Sequence, residues 1–278
     1  MRELYNRLIQ LQQLYFAREE QLVTRDGKNL KTLESAIASL LTRLPPDTAD
    51  FFQELQSRTP PAAAPVMNET CCGCGIDLPT SLCAELPHMD ELIHCPNCAR
   101  YLYPFEPGRL TIRDDTLQRS LPRLGIERFS SEKLMIPRLQ ARDKKEAITE
   151  LAQLMADQLY FSDPQMLIDR ALEREVIVST AVEHSLAFPH VRGIDTGSLT
   201  VALGLKKQGI PFGAPKNRLT KIIFFIVIPI ASSAFYLTLL AGLIESLSAA
   251  DARKKLLGCS EQNQVWRMLK KLTKAHIP

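Results

Sequence analysis

Apolar positions recur every three to four residues over 3–23 and again over 29–44, with Leu4, Leu8 and Leu11 striping the first run and Leu30, Leu33, Ile37, Leu40, Leu41 and Leu44 the second. That period predicts two amphipathic helices. Arg25-Asp26-Gly27 breaks them into a hairpin, a short helix is expected at 47–57, and Thr59 to Pro65 reads as a stiff proline-rich link. Further on the period changes. Helices are expected at 144–160 and at 164–174, the second capped by Asp163 with Pro164 in its first turn. Leu199, Val201, Leu203 and Leu205 alternate with Thr200, Ala202, Gly204 and Lys206, as in a strand, and Ile222–Ile230 is apolar throughout, as in a central strand covered on both faces. Helices at 232–247, 250–257 and 261–274 complete an α/β pattern. Ser232 or Ser233 caps the first of these, with Leu237, Leu240 and Ile244 on one face.

Composition adds bounds. The 278 residues are 45% hydrophobic and 23% charged, an ordinary globular balance that argues against disorder and against a disulfide miniprotein. Ile222–Ile244 is 23 residues without a formal charge, long enough to span a bilayer, but strand chemistry followed by a serine cap explains it better than a membrane span. Met1–Arg25 carries charges throughout, so no signal peptide is read there and a cytoplasmic protein is expected. The net charge of +3 divides unevenly, −4 over 1–104 and +7 over 105–278. An acidic N-terminal part is thus joined to a mildly basic C-terminal part.

Six of the seven cysteines fall between 71 and 98. Cys71-x-x-Cys74 and Cys95-x-x-Cys98, 20 residues apart, have the spacing of two knuckles that together hold one structural zinc ion. Gly73 and Gly75 free the first knuckle, and Pro96-Asn97 shapes the second. Cys72 and Cys83 form no further pair of the right spacing and are read as non-ligands, as is His94. The run Cys71 to Pro79 with Asp90 to Tyr103 resembles a bacterial four-cysteine zinc ribbon that follows helical hairpins. Within 71–103, Arg100 is the one Lys or Arg against Asp77, Glu85, Asp90 and Glu91, so nucleic acid is not an expected partner. A structural or protein-contact role is expected instead, with self-association through the N-terminal helices.

In the C-terminal half, Pro189 fixes its own φ and extends Phe188, which presents His190 rigidly at a strand end. Spacing alone makes this a weak catalytic signal. Glu173-Arg174-Glu175 with Ser179-Thr180, then Ala187-Phe-Pro-His190-x-Arg192, then Gly209-Ile-Pro-Phe212-Gly-Ala and the apolar strand ending at Pro229 resemble the fructose, mannitol and nitrogen-regulatory type of enzyme IIA. That family serves the bacterial phosphoenolpyruvate-dependent phosphotransferase system. The likeness extends over nearly 145 residues, from Ala141-Arg-Asp-Lys-Lys-Glu-Ala-Ile148 onward. It implies a mixed sheet flanked by helices, with His190 accepting a phosphoryl group from a phosphocarrier protein and Arg174, then Arg192, offsetting its charge.

Two departures stand out. Ala181-Val-Glu-His184-Ser185 contains none of the glycines usual in that turn, and Tyr236-Leu237 stands where the family often has a second histidine. His184 reads as a turn-surface residue, and Tyr236 as a hydrogen-bond donor to a phosphoryl oxygen. The expected organisation is a helical hairpin (1–58), a proline-rich linker (59–70), a zinc ribbon (71–104), a linker (105–128) and an enzyme IIA-like domain (129–278). The expected function is a regulatory phosphocarrier acting on a protein target; the competing expectation is a non-catalytic adaptor that keeps the fold as a docking surface.

Overall fold

The computed structural model describes residues 2–24, 27–67, 69–88, 91–104, 125–194, 199–229 and 233–277. The chain divides into two compact units, Met1–Glu106 and Pro107–Pro278.

In the first unit, α1 (Arg2–Thr24) and α2 (Gly27–Leu41) form the expected hairpin and α3 (Pro46–Arg58) follows. The Arg25-Asp26 break lies outside the described residues. The buried stripe of α1 is Tyr5, Leu8, Leu11 and Leu14, one position round from the expected Leu4, because Tyr5 is drawn inward by two hydrogen bonds. Its hydroxyl donates to the Glu91 carbonyl at 2.7 Å and accepts from the Ile93 amide at 2.9 Å. The expected linker at 59–70 does not hold as a link. Ala63–Met67 is strand β1, the centre of a three-stranded sheet with β2 (Thr70–Cys71) and β3 (Tyr101–Pro104), and the buried Gln12 of α1 accepts from the Ala63 amide. A run of three small alanines, all buried, suits a strand pressed under a helix, so proline at its edges did not prevent pairing. One short helix, α4 (Thr80–Glu85), lies between the cysteine pairs.

The second unit is the mixed α/β fold that the patterns imply. Of the expected linker at 105–128, residues 105–124 lie outside the described residues, while Gly125–Arg128 is a 3-10 turn with Ile126 buried, so it belongs to this unit. The strands are β4 (Met135–Ile136), β5 (Ala181–Val182), β6 (Leu186–Ala187), β7 (His190–Ile194), β8 (Thr200–Ile210) and β9 (Thr220–Pro229), in the order β4-β8-β9-β6-β5, with β7 also on β9. The helices beside them are α5 (Lys144–Asp157), α6 (Pro164–Ile177), α7 (Ser233–Ser246), α8 (Ala250–Gly258) and α9 (Gln262–Thr273). Asp163 caps α6 as expected, accepting from the Met166 amide at 3.0 Å. The Ser232 cap lies outside the described residues.

Strand β9 sits at the centre, with Ile222 to Ile228 all fully buried. The uncharged run Ile222–Ile244 is divided between β9 and α7, and among the described residues no single helix is long and apolar enough to cross a membrane. Strand β8 departs from the in-out alternation, since Thr200, Ala202 and Gly204 are buried as well as their large neighbours. The alternation there is large against small, fitting one tight and one roomy face. Helix α7 buries Tyr236, Leu239, Leu240 and Leu243, while Leu237 and Ile244 are only half-buried. That rotation turns Tyr236 toward the sheet.

Gly204 marks the tight face. A Cβ there lies 2.5 Å from Leu139 Cδ1 and 2.8 Å from its Cγ, and Leu139 is itself buried. Gly204→Ala is therefore expected to destabilise this unit by about 1–3 kcal/mol through overpacking. Trp266 of α9 is the chain's one tryptophan, so its fluorescence in urea reports this unit; an unchanged midpoint contradicts the packing argument.

Candidate functional site

Strands β6 and β7 lie end to end along one edge of β9, both parallel to it, with Leu186 opposite Ile222 and His190 opposite Ile226. Between them Pro189 lacks an amide hydrogen, yet its carbonyl accepts from the Ile226 amide at 3.0 Å. Upstream, the Phe188 amide donates to Thr180 and its ring stacks on Phe224 at 5.4 Å and 7°. His190 is thereby fixed at the first position of β7, where it is 1% exposed.

Its Nδ1 lies 3.0 Å from the Phe188 carbonyl. A carbonyl only accepts, so Nδ1 carries the proton and the imidazole lone pair is on Nε2. The Tyr236 hydroxyl is 3.2 Å from the same Nδ1, and the rings are 5.1 Å apart. With Nδ1 protonated, this hydroxyl faces it as an acceptor. Arg192, two residues along β7, falls on the same face of the strand as His190. Its guanidinium carbon stands 4.7 Å over the Tyr236 ring, a cation–π contact. The structure thus brings His190, Arg192 and Tyr236 together, with Tyr236 touching both of the others. Arg174 is buried in the last turn of α6, and its guanidinium donates to the Val178 carbonyl at 3.0 Å.

Other motif residues build the approach to this site. The buried Glu175 carboxylate accepts from the Thr180 amide at 3.1 Å and from the Thr180 hydroxyl, and pairs with Lys144 at 3.3 Å. The Ser179 hydroxyl donates to the Phe212 carbonyl at 2.9 Å, and a Cβ on Gly213, at φ +90°, meets Ser179 Oγ at 2.9 Å. These contacts clamp the strand that leads to Pro189. The glycine-free turn still enters the left-handed region, at His184 (φ 66°) and Ser185 (φ 62°). Sequence reasoning did not find the Phe188 carbonyl, because a backbone acceptor leaves no residue-type signal.

The first unit holds a second cluster. The sulfurs of Cys71, Cys74, Cys95 and Cys98 all lie within 4.8 Å of one another, with Cys71 3.8 Å from Cys98 and Cys74 3.6 Å from Cys95. Four sulfurs about 2.3 Å from one central ion stand about 3.8 Å apart, so this donor set fits a tetrahedral metal. The knuckles are alike: the amides of Gly75 (φ 76°) and Ala99 (φ 60°) each return to the carbonyl of the first cysteine, Cys71 or Cys95, at 2.7 and 2.9 Å. Gly73 permits close approach, since a Cβ there meets Arg100 Cδ at 2.6 Å. Burial pushes the Cys71 thiol well up. Cys74 is also pushed up by burial, but hydrogen bonds from the Asn97 side chain and the Ile76 amide outweigh this and hold it down at about 6. Neither Cys72 nor Cys83 belongs to the cluster, and His94 Nδ1 lies 3.0 Å from the Ala99 carbonyl. Arg100 is buried against the Pro61 and Thr59 carbonyls at 2.8 and 2.9 Å, which takes the ribbon's one cation away from solvent.

Comparison with known proteins bears on the second unit. A 126-residue stretch is 32% identical to the PTS system fructose-specific EIIA component of Haloferax volcanii, covering 45% of this chain and 82% of that protein. A nitrogen regulatory protein of Bradyrhizobium diazoefficiens is 24% identical over 135 residues, 49% of this chain and 88% of the relative. Among solved structures, the nitrogen regulatory protein IIA-Ntr of Neisseria meningitidis aligns with a TM-score of 0.46 and 22% identity, covering 51% of this chain and 96% of that one. Residues 128–272 match the family described as phosphoenolpyruvate-dependent sugar phosphotransferase system, EIIA 2, and the chain belongs to that family.

Proposed function

We propose that the chain is a regulatory phosphocarrier of the phosphotransferase system, taking a phosphoryl group onto His190 Nε2 from a phosphocarrier protein and acting in the cytoplasm on a protein target. The observation that carries this is the Nδ1 contact with the Phe188 carbonyl, which leaves Nε2 as the nucleophile. In the transfer, the donor's P–N bond breaks as a new one forms at Nε2, and Nδ1 keeps its proton. Arg192 supplies positive charge beside the incoming oxygens, and Arg174 is a second source from α6. Tyr236 takes the part of a hydrogen-bond donor to a phosphoryl oxygen.

The burial of His190 favours a second reading, an adaptor that keeps the fold as a docking surface. Under the first reading the structure around His190 opens to admit the donor. Phosphoenolpyruvate with enzyme I and the phosphocarrier protein, read by intact mass, separates the two. Wild type is expected to gain one phosphoryl group that is lost in acid, and His190→Gln none. Arg192→Ala is expected to slow transfer by about 10²–10³-fold, as for loss of one preorganised charge donor, and Tyr236→Phe by less. No phosphoryl gain in wild type leaves the adaptor reading.

For the first unit we propose one structural zinc ion held by Cys71, Cys74, Cys95 and Cys98, with the unit serving protein contact or self-association. The buried cluster around the site consists of Ala64, Cys71, Leu78, Leu86, Cys95 and Leu102, and two of those six are ligands. So small a core depends on the metal. Protein purified without added zinc is expected to hold one zinc per chain, and Cys95→Ser to lose both the metal and the hydrogen-exchange protection of Leu102. A ratio near zero with that protection intact contradicts the assignment.

A further inference from the structure

Away from His190, a groove of about 430 Å³ opens where the His184 turn, strands β8 and β9 and helix α8 meet. His184, Lys207, Lys221, Arg253 and Lys254 line it above an apolar floor that includes Ile222, and among the described residues no carboxylate lines it. Cations gathered in one concavity repel each other, and neighbouring acids normally relieve this. The ion pair on α8 is Lys255 with Asp251, and among the described residues none of Lys207, Lys221 and Lys254 forms an ion pair. Arg253 is anchored instead, donating to the Leu247 and Ser248 carbonyls at 2.6 and 2.5 Å.

The backbone adds an independent observation. His184 and Ser185 are consecutive non-glycine residues in the left-handed region, and both line the groove. Such strain persists where surrounding structure holds it, and it concentrates at ligand sites. Strand β8 contributes through the irregular register between Leu205 and Ile210. Lys206 turns away there, with Nζ 3.0 Å from the Leu139 carbonyl, while Lys207 lines the groove.

We infer that this groove binds a small molecule carrying adjacent phosphates, a diphosphate or triphosphate group. Four permanent cations from three elements exceed what one phosphate needs, and the volume lies in the range of small-ligand sites. A nucleic acid fits less well, because the charges converge on one concavity rather than track along a surface. The site is distinct from His190. Ile222 precedes Ile226, the strand partner of His190, by four residues, about 13 Å along β9.

Calorimetric titration of the full chain with inorganic phosphate, inorganic pyrophosphate and ADP tests this. Pyrophosphate and ADP are each expected to bind once per chain, at least about tenfold tighter than phosphate. Equal affinity for the two assigns binding to the phosphates alone, and tighter ADP adds the apolar floor. Lys207→Glu with Lys254→Glu is expected to remove at least about tenfold of that affinity, while Lys255→Gln leaves it unchanged. Should the double variant fail to fold, acylation of wild-type lysines read by mass gives the answer, with pyrophosphate protecting Lys207 and Lys254 but not Lys255. Pyrophosphate binding no tighter than phosphate, binding or protection indifferent to these lysines, or displacement of both ligands by a short oligonucleotide overturns the inference.

Discussion

The position of His190 depends on a hydrogen that is missing. Pro189 has no amide proton, so the strand running beside β9 cannot continue unbroken from Leu186 to Ile194 and divides into β6 and β7. The Pro189 carbonyl still accepts from Ile226, which holds the break against the sheet. The same break turns the Phe188 carbonyl toward the imidazole of His190. One residue type thus ends a strand, starts the next and selects the imidazole tautomer. Rigidity behind this break comes from Phe188 stacked on Phe224 and from the Glu175–Thr180 and Ser179–Phe212 hydrogen bonds.

Much of the second unit was legible because period and chemistry agree there. The all-apolar run at 222–230 can only be buried on both faces, and Asp163-Pro164 announces a helix start. Leu240 is buried as expected, but Leu237 and Ile244 misled because a helix in which nearly every position is apolar has no unique face, and packing against the sheet chose the one with Tyr236 and Leu243. Site residues were legible by type, but their mutual geometry was not. Arg192 reaches the Tyr236 ring because strand alternation puts it on the His190 face. Arg174 is anchored by a hydrogen bond to the Val178 carbonyl at the end of its own helix.

In the first unit the cysteine spacing was plain, and the strand at Ala63–Met67 was not. Proline at 60, 61 and 65 reads as a break, but alanines small enough to pack under α1 and a sheet of only three strands make pairing possible. The parallel knuckles show what the spacing stands for. In both, the residue after the second cysteine adopts a left-handed conformation, as Gly75 in one and Ala99 in the other, and returns its amide to the first cysteine. Only the first of these carries the glycine that betrays such a turn in sequence.

The proposed transfer depends on which imidazole nitrogen of His190 is nucleophilic. Nitrogen-15 and phosphorus-31 spectra of the protein, after treatment with phosphoenolpyruvate, enzyme I and the phosphocarrier protein, locate the phosphoryl group directly. A scalar coupling from phosphorus to Nε2 of His190, with Nδ1 still protonated, is the predicted result. Phosphorus on Nδ1, or on any other residue, contradicts it.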